Sequence, residues 1–113
     1  MSNSFVNAKV DLTTTDNTTL YTTPSANVAL VKSILVSNDS GSGCNLDVTL
    51  TDASGNVFSI FKTKTIATNT TTELLTQPLV VEESEVLKVQ ASDANELHVI
   101  ASILQIQPRE VTT

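Results

Sequence analysis

The chain has 113 residues, of which 40% are hydrophobic and only 16% are charged, and its formal net charge is −6. This length suits one domain with one core, and the negative charge argues against nucleic acid or an anionic membrane as a partner, because both require a basic face. The single cysteine, Cys44, excludes an internal disulfide. No apolar stretch approaches the roughly 20 residues of a membrane-spanning helix, so we expect a protein without a membrane anchor.

The first third of the chain alternates apolar and polar residues with a period of two, which is typical of half-buried β-strands. Residues 8–12 predict a first strand, and a short second strand ends at Pro24. Residues 28–38 form a longer apolar run whose inward-facing set does not follow one phase. This change of phase predicts a β-bulge near Lys32 or Ser33.

The clearest alternation follows a Ser/Gly turn at residues 39–43. Its predicted inward-facing positions are all apolar: Cys44, Leu46, Val48 and Leu50. A hairpin loop at residues 51–56, with Gly55 at its tight position, leads into a returning strand. That strand carries three large apolar residues: Phe58, Ile60 and Phe61.

The last third continues the same pattern. Two short strands flank Pro78, which suits a sheet edge, and an acidic turn at residues 82–85 precedes a strand with Leu87, Val89 and Ala91 facing inward. The closing run, residues 97–106, is apolar on both faces, which predicts a central strand or contact with another subunit.

About eight or nine short strands separated by regular turn signals predict an all-β fold. We expect an antiparallel β-sandwich, either jelly-roll-like or another Greek key. We expect one domain over residues 1–113, with short flexible ends at about residues 1–7 and 107–113.

The sequence predicts no catalytic residue, no metal site and no cofactor, and we expect a protein that is not an enzyme. His98 is the only histidine, so a zinc site lacks ligands and a nucleophilic triad would depend on this one base. All three glycines fall in turns, which excludes a phosphate-binding loop. Three carboxylates, at Glu82, Glu83 and Glu85, are interpreted as a solvated turn rather than a cation site.

The strands predict association with other subunits. Their outward positions carry Thr, Ser and Asn where a monomer usually carries charge, and uncharged strand edges invite pairing. The candidate interface lies on the closing strand and comprises Leu97, Val99, Ile100, Leu104 and Ile106. The segments before Ala8 and after Pro108 have too few apolar residues to fold alone, so we expect them to reach neighbouring subunits.

Two segments resemble small virion structural proteins of tailed bacteriophages, of the decoration, neck or tail-associated type. Residues 20–42, LYTTPSANVALVKSILVSNDSGS, share an LYT.P entry followed by VKSI.V.N and a Ser/Gly turn. Residues 72–92, TELLTQPLVVEESEVLKVQAS, share the edge-and-turn pattern, with EESE where those proteins usually have a ggd turn. The resemblance covers roughly residues 18–106.

This resemblance implies a structural component of a phage particle, located in the virion and assembled in the bacterial host cytoplasm. A capsid decoration (cement) protein that stabilises the shell is the first hypothesis, and a neck, tail or baseplate accessory is the alternative. The implied partners are the major capsid protein or neck and tail proteins, with further copies of the chain in a homo-oligomer that is often a trimer. A carbohydrate-binding sandwich is a third hypothesis, but its aromatic platform would have to come from Tyr21, Phe5, Phe58 and Phe61.

Overall fold

The computed structural model describes residues 2–107, which form nine β-strands in two antiparallel sheets. The strands are β1 (Ser2–Leu12), β2 (Thr18–Thr22), β3 (Val28–Asn38), β4 (Cys44–Thr51), β5 (Val57–Ile66), β6 (Thr70–Glu73), β7 (Leu79–Val81), β8 (Val86–Ala91) and β9 (Leu97–Gln107). The predicted antiparallel β-sandwich is therefore confirmed. Within these residues, no helix is long or apolar enough to cross a bilayer.

The strands pair in a nested order. Sheet A runs β1-β9-β3-β6, with the short β7 also paired to β3, and sheet B runs β2-β8-β4-β5. The first strand thus pairs with the last, β2 with β8, β3 with β6 and β7, and β4 with β5. The chain is one long hairpin folded about the β4–β5 turn, and its successive strand pairs alternate between the two sheets.

The β4–β5 turn at the tip of this hairpin is held by the Asp52 carboxylate. Asp52 Oδ1 accepts hydrogen bonds from the backbone N–H groups of Asn56 and Ser54, each at 2.9 Å. The bonds from Asn56 lead the causes that lower the pKa of Asp52, although partial desolvation opposes them. Gly55 has φ +91°, a conformation that glycine adopts without the steric cost of a Cβ.

The core lies between the sheets and is built by the predicted alternation. The fully buried large side chains are Leu12, Ile34, Leu46, Ile66, Leu87, Leu97, Ile103, Val31, Val36, Val48, Val81 and Val89. Leu50 is only half-buried, because it lies at the end of β4 next to the edge strand. On β5 itself Phe58 remains 55% exposed, and Ile60 and Phe61 are half-buried.

The predicted bulge in the third strand is confirmed. The pairing of β3 with β9 shifts between Val31 and Ser33, so that Lys32 is the extra residue. Before the bulge Val31 faces the core, and after it Ile34 faces the core. One inserted residue therefore lets both halves of an eleven-residue strand bury their apolar side chains.

The N-terminal segment that was expected to be flexible includes residues 2–7. They belong to β1, which pairs with β9 from Ser2↔Gln107 to Leu12↔Leu97. This segment is polar, but backbone hydrogen bonds to a central strand hold it whatever its side chains. Gln107 ends β9, and the remaining predicted tail, 108–113, lies outside the described residues.

Truncation of Leu46 to Ala should lower the free energy of unfolding by about 2–5 kcal/mol, because Leu46 is completely buried between the sheets. Leu35→Ala is the matched control, since Leu35 lies on the outer face of sheet A and is 37% exposed; we expect a loss below about 1 kcal/mol there. Urea unfolding followed by circular dichroism measures both. Equal losses would contradict the assignment of these two faces.

Candidate interaction face

The closing strand divides the predicted interface residues between two faces. Leu97 and Val99 are completely buried because they point from β9 toward sheet B, so within this chain they lie in the core. Ile100, Leu104 and Ile106 point the other way, onto the outer face of sheet A. Ile100 is 41% exposed, and Leu104 and Ile106 are half-buried.

Strand register extends this apolar surface across the whole of sheet A. Phe5 lies opposite Leu104, Leu104 opposite Leu30, and Leu30 opposite Val80. These four side chains form a transverse line over β1, β9, β3 and β7, which we call the outer row. Phe5 is 80% exposed and Val80 is 52% exposed, so both ends of the outer row are accessible to solvent.

The outer row has an apolar neighbour on one side only. Val28 lies opposite Ile106 in the adjacent register position, and both are half-buried. On the other side, Asn7, Ser102 and Ser33 lie opposite one another. The outer row is therefore continuous with Val28 and Ile106, whereas the polar row separates it from Ile100 and Leu35, which are 41% and 37% exposed. Exposed apolar clusters of this kind are typical of protein–protein contact sites.

Sequence reasoning found only part of this surface. The two-faced apolar character of residues 97–106 was a valid signal for Leu104 and Ile106. Phe5 was missed because it lies in the polar stretch SNSFVNA. Val80 was missed because only the pairing of β7 with β3 places it beside Leu30.

The opposite end of the same face carries the only histidine of the chain. His98 Nε2 lies 3.2 Å from Asp11 Oδ1, and His98 Nδ1 lies 3.9 Å from Asp39 Oδ2. The imidazole therefore lies between two carboxylates that the sequence did not predict as its partners. Ser37 lies opposite His98 on β3, but both ring nitrogens face carboxylates, so neither is directed at the Ser37 hydroxyl as a nucleophilic triad requires.

A cluster that the sequence did not predict places Cys44 close to two carboxylates. The ligand-type atoms of Cys44, Asp93 and Glu96 lie within 4.8 Å of one another. Glu96 already accepts a hydrogen bond from the Ser40 hydroxyl at 2.7 Å. Three donors are one fewer than a closed tetrahedral zinc site uses, and the buried Cys44 thiol packs with the core.

Glu73 holds the outer edge of sheet A where the edge strand is interrupted between β6 and β7. Its carboxylate accepts hydrogen bonds from the Ser33 hydroxyl, from the Ile34 N–H at 2.9 Å and from the Leu75 N–H at 3.1 Å. Desolvation alone would raise the pKa of Glu73, but these hydrogen bonds outweigh it and lower that pKa. The carboxylate therefore supplies hydrogen-bond acceptors beside the Lys32 bulge, in the gap where neither β6 nor β7 pairs with β3.

The outer face of sheet B is different in character. It carries a polar depression lined by Thr15, Asn45, Asp47, Thr63, Gln90, Ala91 and Ser92. Asp47 Oδ1 is occupied by the Thr63 N–H at 2.6 Å, and Gln90 Nε2 donates to the Thr15 carbonyl at 2.9 Å. None of the lining residues is aromatic, so the stacking surface expected of a sugar-binding site is lacking there.

Comparison with known proteins gives a likeness in fold only. No protein-family model matches the sequence, and no curated protein is significantly similar to it. Among solved structures, 15 chains match.

Two of these structures are crystal structures of a pentameric capsid protein isolated from metagenomic phage sequences. Each is 19% identical to this chain with a TM-score of 0.49, and each match covers 92% of this chain and 61% or 64% of the other. A structure of the Gt strain of infectious bursal disease virus is 11% identical with a TM-score of 0.44, covering 95% of this chain and 31% of the other. The chain thus spans less than two thirds of the length of each.

His98→Gln should leave the fold intact and change the free energy of unfolding by less than about 1 kcal/mol, because exposed ion pairs contribute little. The His98 side chain is 43% exposed and that of Asp11 is 60% exposed. Urea unfolding measures the stability, and a panel of ester, phosphate and glycoside substrates tests for hydrolysis. A hydrolytic activity that this substitution abolishes would contradict a non-catalytic histidine.

Glu73→Gln should lower stability by about 0.5–1 kcal/mol at neutral pH, because the amide offers one acceptor oxygen and no charge. Since the folded-state pKa of Glu73 is lowered, its contribution is present above the unfolded-state pKa of about 4.3 and is lost as the pH falls through the folded-state value. The difference between wild type and variant should therefore shrink on acidification.

Urea midpoints measured at about pH 6 and about pH 3 test this expectation. Glu82→Gln is the matched control, because within residues 2–107 the Glu82 carboxylate makes no hydrogen bond. A difference for Glu73→Gln that is the same at both pH values would contradict the assigned role of the carboxylate.

Proposed function

We propose that the protein is a non-enzymatic structural component of a bacteriophage virion, and specifically a decoration protein that binds the capsid shell through the outer row of sheet A. The observation that carries this proposal is the continuous line of Phe5, Leu104, Leu30 and Val80 across four strands. A surface of this kind provides a contact area on a rigid sheet, and it needs no catalytic group.

The strand order supports the proposal at the level of fold. The nested pairing of first strand with last, with successive pairs alternating between sheets, is the arrangement that we assign to the jelly roll. Jelly rolls are double-sheet sandwiches that recur in viral capsid domains and in lectins. Because fold alone does not determine function, the choice between these uses depends on the surface.

The surface favours assembly over sugar binding. The most exposed aromatic side chain, Phe5, is part of an extended apolar line with Leu104, whereas the polar depression on sheet B has no aromatic side chain to stack on a sugar ring. Apolar contacts across a sheet are suited to a protein partner that presents its own apolar surface. The resemblance of residues 20–42 and 72–92 to phage virion proteins points to the same class of partner.

Phe5→Ser and Val80→Ser should each weaken binding to capsid shells assembled without this protein. Burial of a large apolar side chain contributes about 2 kcal/mol, so each change should reduce affinity roughly thirtyfold. Co-sedimentation of purified protein with the shells measures the affinity. Phe58→Ser is the matched control, because Phe58 is also an exposed phenylalanine, at 55%, but lies on the edge of sheet B; it should bind like wild type.

Copy number in purified particles tests the location. A stained gel should show this chain in amounts comparable to the major capsid protein. A few copies per particle would instead assign the protein to the neck, tail or baseplate, and absence from particles would overturn the virion role. Equal loss of shell binding in Phe58→Ser would show that the outer row is not the contact.

A further inference from the structure

The sandwich has edge strands that differ in how they are protected from pairing. On sheet B, β2 has five residues and a register shift, and β5 has two register shifts together with Lys62 and Lys64. On sheet A, β6 and β7 have four and three residues. Short length, bulges and lysines are the usual means of preventing an edge from adding another strand.

The remaining edge, β1, has almost none of these protections. It is eleven residues long and pairs with β9 without a register shift. Lys9 is its only positively charged side chain, and within residues 2–107 no strand pairs with its other side. A regular row of backbone N–H and C=O groups is thus open, and the occupant that fits it is another extended strand.

The side chains of β1 are also incompletely covered. On the inner face, Val6, Ala8 and Val10 pack against the core but remain half-exposed. On the outer face, Phe5 is 80% exposed. An added strand would cover apolar side chains on both faces at once.

We propose that the occupant is β1 of a second copy, paired antiparallel about a twofold axis at Asn7. In such a pair, residues that lie opposite each other have their side chains on the same face of the sheet. The twofold axis must therefore pass beside a residue rather than between two residues. Pairing about Asn7 is the only register that uses all of Ser2–Leu12. It places Lys9 opposite Phe5 of the second copy and Asp11 opposite Asn3 of the second copy.

Charge disfavours two of the competing registers, and the others overlap over fewer residues of β1. Pairing about Lys9 would set two lysines opposite each other, and pairing about Asp11 would oppose two carboxylates; both are destabilising. Pairing about Asn7 opposes no like charges. It also lets the Lys9 side chain lie against the ring of Phe5, where its ammonium group gains a cation–π contact.

This contact gives a definite geometry to the homo-oligomer that the sequence resemblance implies. An isologous pair closes at two copies, so the β1 edge produces a dimer rather than the trimer that the sequence resemblance implies. The two A sheets would become one continuous sheet, with both outer rows on the same side. The pairing specifies the assembly used in the proposed function, but it is testable without any particle.

Disulfide cross-linking tests the register directly. In an antiparallel pair, opposing Cα atoms are about 4.5–5.5 Å apart, within the range of roughly 4.4–6.8 Å that a disulfide spans. Asn7→Cys should therefore form an intermolecular disulfide under mild oxidation, with most of the chain running as a dimer on a non-reducing gel. Wild type, whose Cys44 is buried, should not cross-link.

Lys9→Cys is the matched control, because it lies on the same face of the same strand. In the proposed register the two introduced cysteines would be four residues out of line, about 13 Å along the strand, so they should not cross-link. A monomeric Asn7→Cys, or equal cross-linking by Lys9→Cys, would overturn the proposal. If Asn7→Cys cross-links but the wild-type protein does not bind capsid shells, the proposed function alone would be overturned.

Light scattering of purified protein provides the second measurement. Wild type should be dimeric, and Asn7→Lys, which sets two lysines opposite each other at the axis, should be monomeric with an unchanged circular dichroism spectrum. Asn7 is exposed, so this substitution should not affect folding of the monomer. A wild-type monomer, or a dimer that survives Asn7→Lys, would contradict pairing through β1.

Discussion

The two-sided pairing of β9 is the constraint on which the rest of the structure depends. β9 pairs with β1 over its whole length and with β3 over most of it. Its inner residues Leu97, Val99, Ala101 and Ile103 are all at most 1% exposed. Once these positions face the core, the alternation of a β-strand sends His98, Ile100, Leu104 and Ile106 to the outer face.

The bulge at Lys32 makes this arrangement compatible with β3. Without an extra residue, a strand that buries Val31 would turn Ile34 and Val36 outward. With it, all three are completely buried, and Leu30 and Leu35 lie outside. Next to the bulge, the Ile34 N–H has no backbone acceptor on the β6 and β7 side, and the Glu73 carboxylate accepts its hydrogen bond. A single carboxylate thus compensates for the gap between β6 and β7.

Much of the fold could be predicted from the sequence because period-two alternation is a local property. The inward set of β4, the bulge near Lys32 and the central position of residues 97–106 all follow from it. The interface could not be predicted in the same way. Leu97 and Ile100 are both apolar, and only packing against sheet B decides which of them is buried.

Residues that meet through pairing of distant strands were beyond sequence reasoning. Phe5 and Leu104 are paired although they are 99 positions apart in the chain, and a local sequence pattern carries no information about such a contact. The partners of His98 could not be predicted because Asp11 and Asp39 are remote from it in sequence; β1 and the β3–β4 turn bring both to the imidazole. Polar composition likewise gave no signal for the strand at residues 2–7, since backbone pairing does not depend on side-chain hydropathy.

The nested pairing has a consequence for how the chain acquires its structure. The contact between Ser2 and Gln107 can form only after β9 has been synthesised, so β1 lacks its β9 partner until then. Folds dominated by such long-range contacts fold slowly, because the entropy of closing the chain is lost before the contacts stabilise it. During that interval β1 and β3 expose unpaired edges to other nascent chains.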